Sequence, residues 1–113
     1  MTFSGIVLGG SRKAAELGYP TANIPLPDGV VAGAYVSTAE VDGTTYRAVS
    51  YADAARGIVE THLFDFTGDL YGKRITVTLG NRIREPEAFE NDEELARAIA
   101  GDADAARRYH DAA

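Results

Sequence analysis

At 113 residues the chain has the length of one domain, 1–113, and is long enough to enclose a core. Its 45% hydrophobic and 25% charged content argues against a disordered chain, and twelve glycines with four prolines point to many turns and few long helices. A net charge of −6 argues against the basic face of a nucleic-acid binder, while leaving room for a phosphate ligand held by local charge or backbone N–H groups.

Most of the chain reads as short strands. Phe3 to Leu8 is an apolar run ended by Gly9-Gly10. The segment Gly18-Tyr19-Pro20-Thr21-Ala22-Asn23-Ile24-Pro25 cannot be a regular helix, because both prolines interrupt one. Gly33 to Val41 is rich in Tyr, Val and Thr, and Asp42-Gly43 then predicts a tight hairpin into Tyr46–Tyr51. Ile58 to Phe66 alternates, with Ile58, Glu60, His62, Phe64 and Phe66 on one side and Val59, Thr61, Leu63 and Asp65 on the other. Thr67-Gly68-Asp69 reads as a turn. Lys73 to Leu79 alternates again, with Ile75, Val77 and Leu79 inward. The period then changes. Asn91 is placed as an N-cap with Glu94 three residues on, and Leu95, Ala98 and Ile99 form a helical stripe. Gly101 is expected to bend the helix or restart it at Asp102. Strands followed by one helix indicate an α+β, mainly β fold, and a barrel would remove exposed strand edges.

The chain has no cysteine, hence no disulfide framework and no thiolate chemistry, in keeping with a reducing compartment. The start, MTFSGIVLGG, is too short for a signal peptide, and no apolar run approaches the roughly 18 residues of a membrane span. A cytoplasmic protein with no membrane, nucleic-acid or protein partner is expected.

No P-loop, HExxH or GxSxG motif is present, and His62 and His110 lie far apart in sequence, which disfavours a histidine metal site. Four segments carry polar groups of chemical interest. Thr21 and Asn23 fall on one side of an extended chain, where hydroxyl and amide oxygens suit a hard cation or a phosphate; the same pattern also describes a self-satisfied turn. Glu60 is either a surface residue or, in a pocket, a carboxylate whose desolvation suits it to act as a base. Asp69-Leu70-Tyr71-Gly72 alone is a turn with an aromatic. Arg82-Ile83-Arg84-Glu85 alone is a solvated loop or an ion pair.

Taken in order, these segments resemble the riboflavin kinase family. The resemblance runs from Gly5 and Gly10 through Leu17-Gly18-Tyr19-Pro20-Thr21-Ala22-Asn23, then Gly33-Ala34-Tyr35. It continues with Glu60-Thr61-His62-Leu63-Phe64-Asp65-Phe66, Asp69-Leu70-Tyr71-Gly72-Lys73, Arg84-Glu85 to Phe89, Glu93-Glu94-Leu95 and Asp102. It implies a closed six-stranded antiparallel Greek-key-like barrel with a C-terminal helix. It further implies Mg²⁺-ATP and riboflavin as substrates, giving FMN and ADP. The implied roles are a base at Glu60, metal ligands at Thr21 and Asn23, a nucleotide and phosphate site at Gly10, Arg12, Lys13, Gly18, Pro20, Thr21 and Asn23, and flavin contacts at Tyr71 and Arg84.

Two loops depart from the family pattern. Ser11-Arg12-Lys13-Ala14-Ala15-Glu16 stands where glycines usually approach the nucleotide phosphates, so Arg12 and Lys13 would have to substitute charge for backbone dipoles. Tyr51-Ala52-Asp53-Ala54-Ala55-Arg56 is shorter than the family's loop over substrate. A non-catalytic flavin- or nucleotide-binding relative is therefore the alternative to a working kinase. Without the adenylyltransferase domain often fused to bacterial relatives, the chain is not expected to make FAD.

Overall fold

Strand alternation turns one side of each strand inward. The computed structural model describes residues 1–8 and 15–112. Its strands are β1 (Thr2–Ile6), β2 (Ala22–Pro25), β3 (Gly33–Val41), β4 (Thr44–Asp53), β5 (Ile58–Leu63) and β6 (Arg74–Arg84). Helix α1 (Asp92–Ala112) follows. Neighbouring strands pair antiparallel in the order β1-β6-β3-β4-β5-β2. Edge strands β1 and β2 meet just past the end of β1, where the Leu8 N–H donates to the Asn23 carbonyl at 2.7 Å. That rung turns the sheet into a nearly closed barrel.

On β6 the inward face is the one the alternation predicts, with Ile75, Val77 and Leu79 buried, and on β5 the buried side is that of Val59, Thr61 and Leu63. The interior also holds a chain of hydroxyls, Ser37 to Ser50 and Ser50 to Thr61, each step 2.8 Å. Their mutual bonds offset the cost of burying them. The predicted hairpin joins β3 to β4, with Asp42 at φ 50° and Gly43 at φ 82° and Val41 opposite Thr44. At the start of β3, Gly33 has φ 146°, and a Cβ there would stand 2.6 Å from the Arg84 carbonyl oxygen. Only glycine lets these strand ends cross so closely.

Strand β6 runs on past Leu79 to Arg84, so Arg82, Ile83 and Arg84 lie in the strand rather than in a loop after it, and two further expectations are corrected. Strand β5 stops at Leu63 rather than Phe66, because Asp65 takes a left-handed φ of 58°. The strict alternation ends there. Phe64 stays outside the barrel against α1, while Phe66 turns inward to pack edge-on against Tyr46, centroids 5.1 Å apart. Helix α1 does not restart at Asp102 but runs through Gly101. Burial of Asp102, Ala103 and Ala106 just beyond outweighs the roughly 1 kcal/mol a helical glycine costs.

The cap of α1 forms as the spacing predicts at Asn91, whose Oδ1 accepts the Glu94 N–H at 2.9 Å. The Glu94 carboxylate reaches one residue further back, accepting the Glu90 N–H at 3.1 Å. The helix lies on the barrel's outer face, where Ala103 and Ala106 pack with Val36, Val49 and Phe64. It covers only part of that face, and the remainder is the wall of the site.

Candidate active site

Strand register assembles the polar residues. Glu60 on β5 stands opposite Asn23 on β2 and opposite Tyr51 on β4, so all three side chains share the outer face. Thr21, two residues before Asn23, points the same way. Its hydroxyl lies 3.3 Å from Asn23 Oδ1 and 3.4 Å from Glu60 Oε2, a donor to either. One residue pair along β5, His62 Nδ1 is 2.8 Å from the Pro20 carbonyl, which fixes the proton on Nδ1 and ties the Pro20-Thr21 backbone to the strand.

Two cavities flank this cluster. The first, about 520 Å³, is bounded by Tyr19, Thr21, Tyr51 and Glu60 on the barrel, by residues 54–56 of the β4–β5 turn, and by Arg84, Pro86, Phe89, Leu95 and Ile99. The second, about 680 Å³, is bounded by Val7, Leu8, Pro20, Thr21, Phe66, Asp69, Leu70 and Tyr71. Thr21 lines both.

Charge in the first cavity is arranged in pairs. Arg84 closes a fork on Asp102, Nε to Oδ1 at 2.9 Å and Nη2 to Oδ2 at 2.8 Å. That bond holds the guanidinium above its usual pKa, against the opposing effect of burial. The guanidinium also lies over the rings of Phe89 (5.6 Å) and Tyr51 (5.9 Å). Burial pushes the Tyr51 phenol far up, and the negative charge of Asp102 adds to the effect. Its Oη meets no hydrogen-bonding partner in proper geometry among the described residues, though the Asp102 carboxylate is near enough to act on it. On the other wall Arg56 joins two carboxylates. Its Nε bonds Asp53 Oδ2 at 2.9 Å, and its Nη2 contacts Glu60. The Arg56 guanidinium holds the Asp53 carboxyl below its ordinary range.

The structure thus brings Thr21, Asn23 and Glu60 together, with Pro20 anchored beside them and Arg84 across the first cavity. Gly18 stands in a turn at φ 93°, outside both cavity linings. Tyr71, 69% exposed, lines the second cavity and so lies apart from Arg84. Gly10, Arg12 and Lys13 lie outside the described residues. Sequence reasoning missed the Arg56–Glu60 contact and the apolar wall of Phe89, Leu95 and Ile99. The helical stripe did single out Leu95 and Ile99, but a stripe does not say that it faces a cavity.

A family model described as flavokinase, riboflavin kinase, matches residues 1–110. The chain belongs to the riboflavin kinase family. It is 37% identical over 110 residues to a bifunctional riboflavin kinase/FMN adenylyltransferase of Mycoplasma pneumoniae, covering 93% of this chain and 41% of that protein. It is also 37% identical over 113 residues to the Pseudomonas fluorescens protein of the same name, covering 92% of this chain and 36% of that one. The chain thus spans about two fifths of the length of these curated relatives. The fold agrees with the crystal structure of riboflavin kinase from Trypanosoma brucei, at TM-score 0.65 and 24% identity over 96% of this chain and 78% of that one. Among the described residues no helix is long and apolar enough to cross a membrane, and no group of three or more His, Cys, Asp or Glu side chains clusters as a metal site.

Proposed function

We propose that this chain transfers the γ-phosphoryl group of ATP to the 5′-hydroxyl of riboflavin, giving FMN and ADP. The observation that carries the reading is the position of Thr21, on the shared wall of two cavities and in contact range of Glu60 and Asn23. Two substrates that exchange a phosphoryl group must meet end to end, and this is the junction where they would.

The isoalloxazine ring fits the first cavity, between the Tyr19 and Tyr51 side and the Phe89, Leu95 and Ile99 side. Its ribityl chain then leads to Glu60. The nucleotide takes the second cavity, so Tyr71 serves that side rather than the flavin. Glu60 accepts the proton of the 5′-hydroxyl. The hydroxyl oxygen forms a bond to the γ-phosphorus, and the bond from that phosphorus to the β–γ bridging oxygen breaks, its electron pair leaving with ADP. In such transfers the protein contributes mainly position and charge.

Mg²⁺ fits the donor set. Thr21 Oγ1 and Asn23 Oδ1, hydrogen-bonded to each other at 3.3 Å, are hard oxygen donors that would hold the ion together. Mg²⁺ keeps most of its shell as water and phosphate oxygen, so two neutral protein oxygens suffice. When bound it neutralises phosphate charge. The barrel holds the two oxygens, and His62 keeps the Pro20-Thr21 backbone in place.

Incubation with riboflavin, Mg²⁺ and ATP, followed by chromatographic separation of the flavins, tests the reading. FMN formed in proportion to ADP is the expected result. Riboflavin bound tightly without FMN would favour the non-catalytic alternative.

A further inference from the structure

We propose that Arg56 is a further catalytic residue, whose guanidinium contacts the oxygens of the phosphoryl group in flight. The proposal rests on the phosphorylation reading above and adds a residue to it.

The turn between β4 and β5 is short, and its geometry aims one side chain. The Arg56 backbone N–H donates to Asp53 Oδ1 at 3.1 Å, and Nε donates to Asp53 Oδ2 at 2.9 Å. One carboxylate therefore fixes both the base and the neck of the side chain. The far end of the fork is left to face the first cavity, where Nη2 contacts Glu60. Ala54 and Ala55, which precede it, and Gly57, which follows, offer no competing side-chain polar group.

Distance supplies the rest. A general base stands about 2.6–3.2 Å from the hydroxyl oxygen it serves. That oxygen attacks from about 3–3.5 Å. The phosphorus is then within about 6–7 Å of the Glu60 carboxylate. A guanidinium that touches this carboxylate is already within side-chain reach of the phosphoryl oxygens. The two ends of its fork match the geometry of a phosphate better than an ammonium would. When the ribityl hydroxyl takes its place on Glu60, the Nη groups turn to the phosphoryl group while Asp53 keeps hold of Nε. Arg56 gives up no proton. The hydroxyl proton still passes to Glu60, and the electron pair of the broken bond still leaves on ADP. A purely structural role is the weaker account, because the Arg56 side chain is 46% exposed and exposed ion pairs add little stability.

The test compares wild type, Arg56→Ala and Arg56→Lys by FMN formation. Removing one preorganised contact to transition-state charge typically costs about 10²–10³-fold in kcat, and that loss is expected for Arg56→Ala. KM for riboflavin should stay within about threefold, since the ring lies against other residues. Arg56→Lys should recover only part of the rate. Adding guanidinium ion to Arg56→Ala should raise its kcat, which no folding defect would allow. An unchanged or raised kcat in Arg56→Ala, with active wild type, overturns the proposal alone. No FMN from wild type overturns the phosphorylation reading, and this proposal with it.

Discussion

Replacing Asp102 by alanine should destabilise the fold and the first cavity together. The Asp102 side chain is 6% exposed and that of Arg84 24%, so the pair lies largely out of water. Breaking a fully buried ion pair by removing one partner costs about 3–5 kcal/mol, because the other charge is left uncompensated. Arg84 keeps about a quarter of its exposure, which lowers the expected cost to about 2–4 kcal/mol. For a chain of this size 1 kcal/mol corresponds to roughly 4 °C in Tm, so the melting point should fall by about 8–16 °C. The pair also joins the end of β6 to α1 and holds the guanidinium over Phe89 and Tyr51. Riboflavin KM should therefore rise as well. Urea and thermal unfolding followed by circular dichroism, with flavin kinetics at a temperature where both proteins are folded, measure the two effects. Asp102→Ala within 1 kcal/mol of wild type would show that the helix is held by its alanine face alone. The double replacement Arg84→Met, Asp102→Leu should recover much of the stability and none of the KM.

Three further outcomes are expected. Glu60→Gln keeps the shape of the side chain and removes its basicity, so kcat should fall by about 10²–10⁴-fold with little change in riboflavin KM, as read by initial rates. Thr21→Ala should raise the KM for Mg²⁺-ATP as well as lower kcat, separating its role from that of Glu60; a change confined to riboflavin KM would contradict the assignment. The third concerns acid. Arg56 lowers the Asp53 carboxyl from its ordinary 3.8, so its contribution to stability is present above that value and lost as pH falls through the lower folded one. The Tm difference between wild type and Asp53→Asn should shrink below about pH 4 and be flat from pH 5 to 7.

The fold was legible wherever local chemistry decides. Asp42-Gly43 demands a tight hairpin, Ile75, Val77 and Leu79 demand a buried face, and Asn91 announces a helix start. The errors fell where distant contacts overrule local preference. Nothing near Asp65 says that it turns left-handed and sends Phe66 inward. Nothing near Gly101 says that Arg84, a neighbour only in space, will hold Asp102 on an uninterrupted helix. The site divides the same way. Thr21, Asn23 and Glu60 stood out by residue type, the family resemblance suggested their roles, and the β2–β5 register brings them together. Arg56 was read only as part of a departure from the family. Its role depends on a turn short enough to swing it onto Glu60, which no residue type reveals.

The clasp between Leu8 and Asn23 ties the behaviour of the hoop to that of the site. A belt of six strands whose ends meet through one described backbone rung is a cylinder with a seam. Asn23 sits on the seam: its carbonyl receives the Leu8 amide and its side-chain oxygen faces Thr21. Among the described residues every other pair of neighbouring strands is stitched along several residues, so breathing of the cylinder is expected to start at this seam. A ligand that grips the Asn23 side chain draws the seam shut by mass action, as any ligand favours the state that binds it. Substrate arrival and barrel closure then become one equilibrium, and slowed exchange of the Leu8 amide proton would be its signature.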